Sequence, residues 1–353
     1  MKWLLAVAWL CQSAFGAGPE ETLYLYNWNN YISDDTIARF QTECACRVVQ
    51  DYYSDNEEML AKLAAGATGY DLIVPTGNAV EALIRSGQLR PLDKRLLPNL
   101  KNIKPEFLNQ FFDPGNRYSV PYAYTVTLIG YNTEKVRQLG LPTNSWALIF
   151  EPRYLQKIKG RITVLDSQRE LMAAAMLYLG YHVNDTDEGR WKQARDLIIR
   201  AKPYWAAFNA SSYIKELTVG DIWVVHGYSN DIFQANADAH KAGRPFSIAA
   251  AIPKEGAVLA LDSMVIHKSG RHPELAHRFI NFMLQGRNSA ELTNLIGSGN
   301  PNAEAMAYIK SNIARDPSIF PNDQALKRLE MLRDLDRRKR RILNRIWIEI
   351  KLR

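Results

Sequence analysis

Between residues 22 and 87 the chain alternates short apolar strands with capped helices, and that alternation restricts the fold more than any other feature. Thr22-Leu-Tyr-Leu-Tyr-Asn27 is a β-rich run, broken by the polar stretch Trp28-Asn29-Asn30-Tyr31. Ser33 is placed to cap a helix over residues 34–42, and a second strand over 47–52 follows. Ser54, with Glu57 three residues on, reads as a capping box for a helix that stops at Gly66. A strand over 70–75 and a helix over 78–86, closed by Gly87, complete the unit. Strands separated by helices have no hairpin to join them, so they pair in parallel and form a layered α/β domain.

The alternation resumes with a strand over 161–165 and a helix over 169–179 ended by Gly180. Then come a strand over 221–226, a helix over 230–239, strands over 247–252 and 258–266, and helices from Pro273 onward. A chain of 353 residues, 47% hydrophobic, buries enough apolar surface to exclude disorder and has room for two domains. With no repeat or polar tether between the halves, two α/β lobes joined by strands are expected.

The net charge of +7 suggests a nucleic-acid partner until it is located. Residues 327–353 hold eleven Lys/Arg and four acids, which accounts for the whole excess; the body is neutral, and no nucleic acid is expected. At the other end, Met1-Lys2, the apolar run from Trp3 to Leu10 and the small residues Ala14 and Gly16 match a signal peptide over residues 1–18. The run is too short to span a bilayer. Cys11 lies in that segment, leaving Cys44 and Cys46 in an exported protein. If both lie in a strand they are near 7 Å apart, outside disulfide range, so two unbridged strand residues are expected.

In open α/β sheets ligands bind beyond the carboxyl ends of the strands. Those positions hold Trp28, Asn30 and Tyr31; Thr76; Asp166 and Glu170; and Tyr228 and Asp231, while Asp262 lies within the last long strand. Aromatics, hydroxyls and carboxylates with almost no positive charge form a receptor for an alkylammonium, because ring faces attract the cation and carboxylates take its N–H groups. A phosphate or carboxylate would call for Arg or glycine-rich loops instead. Each residue also has a purely structural alternative: Trp28 and Tyr31 as loop-packing aromatics, and Asp166, Glu170 and Asp231 as acids favoured by a helix dipole. Asp262 is harder to assign that way, because a buried carboxylate needs a partner.

Four blocks stand in the order and spacing of the periplasmic putrescine/spermidine-binding proteins of ABC polyamine importers. They are Leu25-Tyr26-Asn27-Trp28-Asn29-Asn30-Tyr31-Ile32, Gly69-Tyr70-Asp71-Leu72-Ile73-Val74-Pro75, Ser119-Val120-Pro121-Tyr122 and Pro253-Lys254-Glu255-Gly256-Ala257. The chain resembles that family from about residue 22 to its C-terminus. The resemblance implies a type II periplasmic-binding-protein fold, in which each of two lobes is a mixed sheet flanked by helices and the amine sits between them. It implies lobes of residues 19–130 plus 258–300 and 131–257 plus 301–353, a periplasmic location, an inner-membrane ABC permease as partner, and a monomer. It places the ligand-stacking rings at Trp28 and Tyr31, a hydroxyl at Thr76, and ammonium-binding acids at Glu170, Asp231 and Asp262. The family pattern is broken at Asn30, where it has Asp, and at Tyr228, where it has Trp. It is broken again at Ala260, where it has an aromatic, and at Ser298, where it has Tyr. Two lost rings open the site and remove cation–π contacts of about 0.5–2 kcal/mol each, so the expected ligand is a cationic amine; a bulkier polyamine, a modified diamine, or a monoamine or amino-acid-like ligand suits the opened pocket as an alternative to putrescine.

Enzyme readings find little purchase. There is no His-Glu-x-x-His, Gly297-Ser298-Gly299 lacks the context of a phosphate loop, and no nucleophile elbow is present, so no catalytic residue, cofactor or metal is expected. Tyr52-Tyr53 suggests a ferric-ion receptor, but adjacent strand residues face opposite ways. A receptor that feeds a sensor rather than a transporter would share this fold and pocket.

Overall fold

The computed structural model describes residues 21–209 and 212–353; the signal-peptide assignment lies outside them. Ten strands form one mixed sheet: β1 (Thr22–Trp28), β2 (Arg47–Tyr53), β3 (Leu72–Ile73), β4 (Ser119–Asn132), β5 (Ile162–Leu165), β6 (Ala207–Asn209), β7 (Val224–Tyr228), β8 (Ile248–Ala251), β9 (Ala257–Ile266) and β10 (Leu329–Glu330). Their spatial order is β2-β1-β3-β9-β4-β7-β5-β6, with β10 on β9 and β8 on β4. Pairing is parallel for β1 with β2 and β3, and for β5 with β6 and β7, as the alternation requires. The long strands β4 and β9 run antiparallel to each other through the middle.

Two large hydrophobic cores flank this sheet. One is built from residues between Leu23 and Tyr124 and between Leu259 and Leu292; the other from residues between Val126 and Val258 and between Leu332 and Ile350. The changeover therefore occurs inside β4 and again inside β9. A small third cluster joins Ala290 to residues between Ala305 and Ile319.

The helices start where polar side chains satisfy their free amides. Ser33 caps Asp34–Cys44 by accepting from the Thr36 amide. The second helix starts one residue later than expected. Asp55, not Ser54, is its cap, accepting from the Glu58 amide at 2.7 Å, while Glu58 reaches back to the Ser54 amide. The arrangement is close to a capping box, with Asp55 and Glu58 in place of Ser54 and Glu57, except that Glu58 bonds the amide one residue before the cap. The strand expected over 221–226 spans Val224–Tyr228 instead, because Val224 to Tyr228 is the stretch that pairs with β4 and buries its side chains.

The cysteines correct a third expectation. Cys44 and Cys46 form a disulfide, with Cα atoms 5.2 Å apart. Neither belongs to a strand. Cys44 ends the first helix, and Ala45 takes the left-handed conformation (φ 52°, ψ 47°), turning the chain so that the two residues approach. An extended spacing near 7 Å does not apply to a helix C-cap.

Candidate functional site

Strand β4 positions the site. Its residues Ala123, Thr125 and Thr127 share one face of the sheet. Opposite them across β9 and β7 stand Asp262 (facing Ala123), Ala260 (facing Thr125) and Tyr228 (facing Thr127). Asp262 and Tyr228 thus lie at two ends of a floor roughly 13 Å long along the strand, with Ala260 midway.

At one end the Asp262 carboxylate accepts from Thr76 Oγ1 at 2.6 Å and from Tyr31 Oη at 2.7 Å. Thr76 is held there by a bridge to Asp262, and the Ser263 amide donates to the Pro75 carbonyl at 2.9 Å. Tyr31 is fixed through its carbonyl, which accepts from Tyr122 Oη at 2.8 Å. Trp28 is anchored by its indole N–H, which donates to the Val74 carbonyl at 2.8 Å, and its ring packs 4.6 Å from Tyr53 and 6.4 Å from Tyr31. Tyr53 donates to the same carbonyl, while Tyr52 faces out, so the adjacent tyrosines point opposite ways.

At the other end Glu170, in the first turn of the helix Gln168–Tyr178, accepts from Thr127 Oγ1 at 2.8 Å. Asp231, in the first turn of the helix Ser229–Lys241, accepts from Tyr213 Oη and from Asn230 Nδ2. The Tyr213 hydroxyl also accepts from the Tyr228 amide at 3.3 Å, tying the acid to the end of β7. Burial, then the fields of Glu170, Asp231, Glu57 and Asp262 together, push the Tyr228 phenol well above its ordinary value.

The three acids share one electrostatic character. Burial raises Glu170 to about 7 and Asp231 and Asp262 to about 6, and the hydroxyl and amide donors only partly offset it. Carboxyls so placed are poised to exchange a proton for a cation. The nearby Arg169, whose guanidinium donates to the Arg333 carbonyl, favours the ionised form of Glu170 but does not outweigh its burial. Buried acids, hydroxyls and ring faces can hold a cationic guest. Among the described residues no His/Cys/Asp/Glu group is arranged to hold a metal, and no helix is long and apolar enough to cross a membrane.

Seven of the eight sequence-selected residues fall into these two linked groups. Asn30 does not: it is exposed at φ 56°, and no side-chain contact ties it to the others among the described residues. Asp166 is drawn off by an ion pair with Lys351. Ser298 is fully buried with an unpartnered hydroxyl. His226 is also in the core, accepting from the Leu165 amide, and burial lowers it to about 3. Sequence reading missed the supporting hydroxyls of Tyr122, Thr127 and Tyr213. The two threonines alternating within the buried run of β4 were a signal for Thr127; nothing local marks Tyr213.

The chain is 57% identical over 353 residues, all of both chains, to a putrescine/cadaverine-binding protein of Pseudomonas aeruginosa. It is 34% identical over 342 residues, 95% of this chain and 92% of the other, to a putrescine-binding periplasmic protein of Escherichia coli. Its fold superposes with a TM-score of 0.85 on a putative spermidine/putrescine ABC transporter structure from Listeria monocytogenes, at 30% identity and covering 94% and 99% of the two chains. The family described as bacterial extracellular solute-binding protein matches residues 35–321. With two lobes' worth of core around a mixed sheet and a buried acidic–aromatic floor between them, the chain belongs to the bacterial extracellular solute-binding proteins.

Proposed function

We propose that this protein captures a short aliphatic diamine, or a related polyamine cation, in the periplasm and delivers it as a monomer to an inner-membrane ABC permease. The observation that carries this reading is the pair of acidic groups at opposite ends of one floor: Asp262 with Thr76 and Tyr31, and Glu170 with Asp231 and Tyr228. A chain of methylenes with an ammonium at each end fits such a floor, while Trp28 and Tyr228 offer faces to its body and charge. The names of the similar proteins point to the same ligand class. Binding is without chemistry: closure over the amine excludes water and strengthens each ion pair, and the ligand favours the closed state by that difference. The lobes are residues 19–130 with 258–300 and 131–257 with 301–353, a division supported by the two cores; the small cluster of Ala290 with residues 305–319 lies across the second boundary.

Ala260 sets length selectivity in this reading. It faces Thr125 midway along the floor, where the polyamine-binding family pattern has a ring, so the middle of the site is open. Titration calorimetry over diamines of three to six carbons, spermidine, agmatine and several amino acids is expected to show tightest binding for a diamine. Ala260→Phe is expected to shift preference toward shorter chains. No binding by any amine, or tightest binding of an amino acid, overturns the proposal.

A further inference from the structure

The excess positive charge of the sequence is concentrated on one helix, and its placement is not that of a merely solvated face. The helix Arg337–Leu352 is fastened to the body by Leu343, Ile346 and Ile350, all buried, at helical spacing. Glu349 pairs with Arg195 and Lys351 with Asp166, and Lys202 Nζ donates to the carbonyls of Ile350 and Lys351. The element is thus a fixed part of the surface.

Its outer edge carries Arg337, Arg341, Arg345, Ile348 and Leu352, spaced four, four, three and four residues apart and therefore in one stripe. Neighbouring bases are compensated: Arg338 lies 3.6 Å from Glu188, and Arg340 bonds to Asp334 at 2.6 Å. Arg337, Arg341 and Arg345 have no acidic partner among the described residues. The stripe ends in two apolar side chains that face water, Ile348 at 56% and Leu352 at 81% exposed. Arg341 and Arg345 also border an open groove of about 550 Å³, where Lys192, Arg195 and Arg338 outnumber the acids Glu188 and Glu349.

From this we infer that the stripe is a docking surface for an anionic phospholipid bilayer. Unpaired arginines followed along one straight edge by exposed aliphatic side chains have the composition of a helix that lies in a membrane interface. The bases meet headgroup phosphates and the apolar tip enters the acyl boundary. A row of about 24 Å presents its charges to a plane, where diffuse negative charge suffices without matched carboxylates. Because residues 1–326 are neutral overall, the charge at this end of the chain also orients the molecule as it approaches.

Co-sedimentation of the purified protein with vesicles tests this. Pelleting is expected with phosphatidylglycerol/phosphatidylethanolamine vesicles and not with phosphatidylcholine, falling as salt is raised. The triple substitution Arg337→Gln, Arg341→Gln, Arg345→Gln is expected to lower partitioning about a hundredfold. Ile348→Ser with Leu352→Ser is expected to remove the binding that survives high salt. Amine affinity measured on the same samples should match the unaltered protein, showing that the fold is intact. Failure to pellet with the anionic vesicles, or equal pelleting of the triple variant, overturns the inference. So does a stripe needed only for binding the permease in discs of neutral lipid, which would assign it to a protein partner.

Discussion

Asp262→Asn is expected to weaken diamine binding at pH 8 by between about tenfold and a hundredfold, the range for losing a hydrogen bond to a charged group. The carboxylate sits between two hydroxyl donors, Thr76 and Tyr31, both at bonding distance. Asparagine keeps the shape and one acceptor, and its amide can donate to whichever hydroxyl turns round, so neither buried hydroxyl is stranded. What disappears is the negative charge. The same substitution makes a second, opposite prediction for stability. Burial raises the Asp262 carboxyl to about 6 in the folded protein, above its unfolded value. A raised acid stabilises the fold below its unfolded pKa and loses that contribution as pH rises through the folded value. At pH 8 the wild-type protein carries that cost and the variant does not, so the empty variant should unfold at an equal or higher temperature. Calorimetric titration and thermal unfolding separate the outcomes. Lost affinity with retained Tm assigns Asp262 to the ligand, and unchanged affinity removes it from the site.

The strand-end acids and rings were legible in the sequence because each follows a strand whose apolar run and helix cap are local signals. Thr22–Trp28 followed by Ser33, and Ile162–Leu165 followed by Glu170, can be read within a dozen residues. What joins them is not local. Asp262 meets Tyr31 across 231 residues, and it reaches Thr76 only because β9 returns antiparallel to β3. Nor does a strand-period argument reach Cys44 and Cys46, whose approach depends on one left-handed residue at a helix end. Asn30 stands apart from the two groups for the complementary reason. It stands beside Trp28 and Tyr31 in sequence, but its left-handed turn leaves it exposed at the surface. Local chemistry nominates residues; register and backbone handedness decide which of them meet.

The pH dependence follows from those meetings. In the empty site burial holds Glu170 near 7 and Asp231 and Asp262 near 6, whereas an aliphatic amine remains protonated well above that range. Binding an ammonium requires the ionised carboxylate, so the bound complex has lower carboxyl pKa values than the empty protein and binding releases protons. Affinity is therefore expected to be flat near pH 8 and to fall as pH drops through 7 and 6. At pH 5 each group must first give up its proton; a diamine engaging two of the three should bind roughly a hundredfold to a thousandfold more weakly than at pH 8. Titrations near pH 6.5 in two buffers of different ionisation enthalpy should report the released protons directly. Folding moves the other way. The empty protein gains stability as these acids are neutralised between pH 8 and 5, so the rise in Tm caused by a saturating diamine should be largest at pH 8. An affinity that does not change between pH 5 and 8 would show that these carboxyls do not hold the amine. The two trends share one cause, the transfer of three acids out of water onto a floor where a cation can take the proton's place.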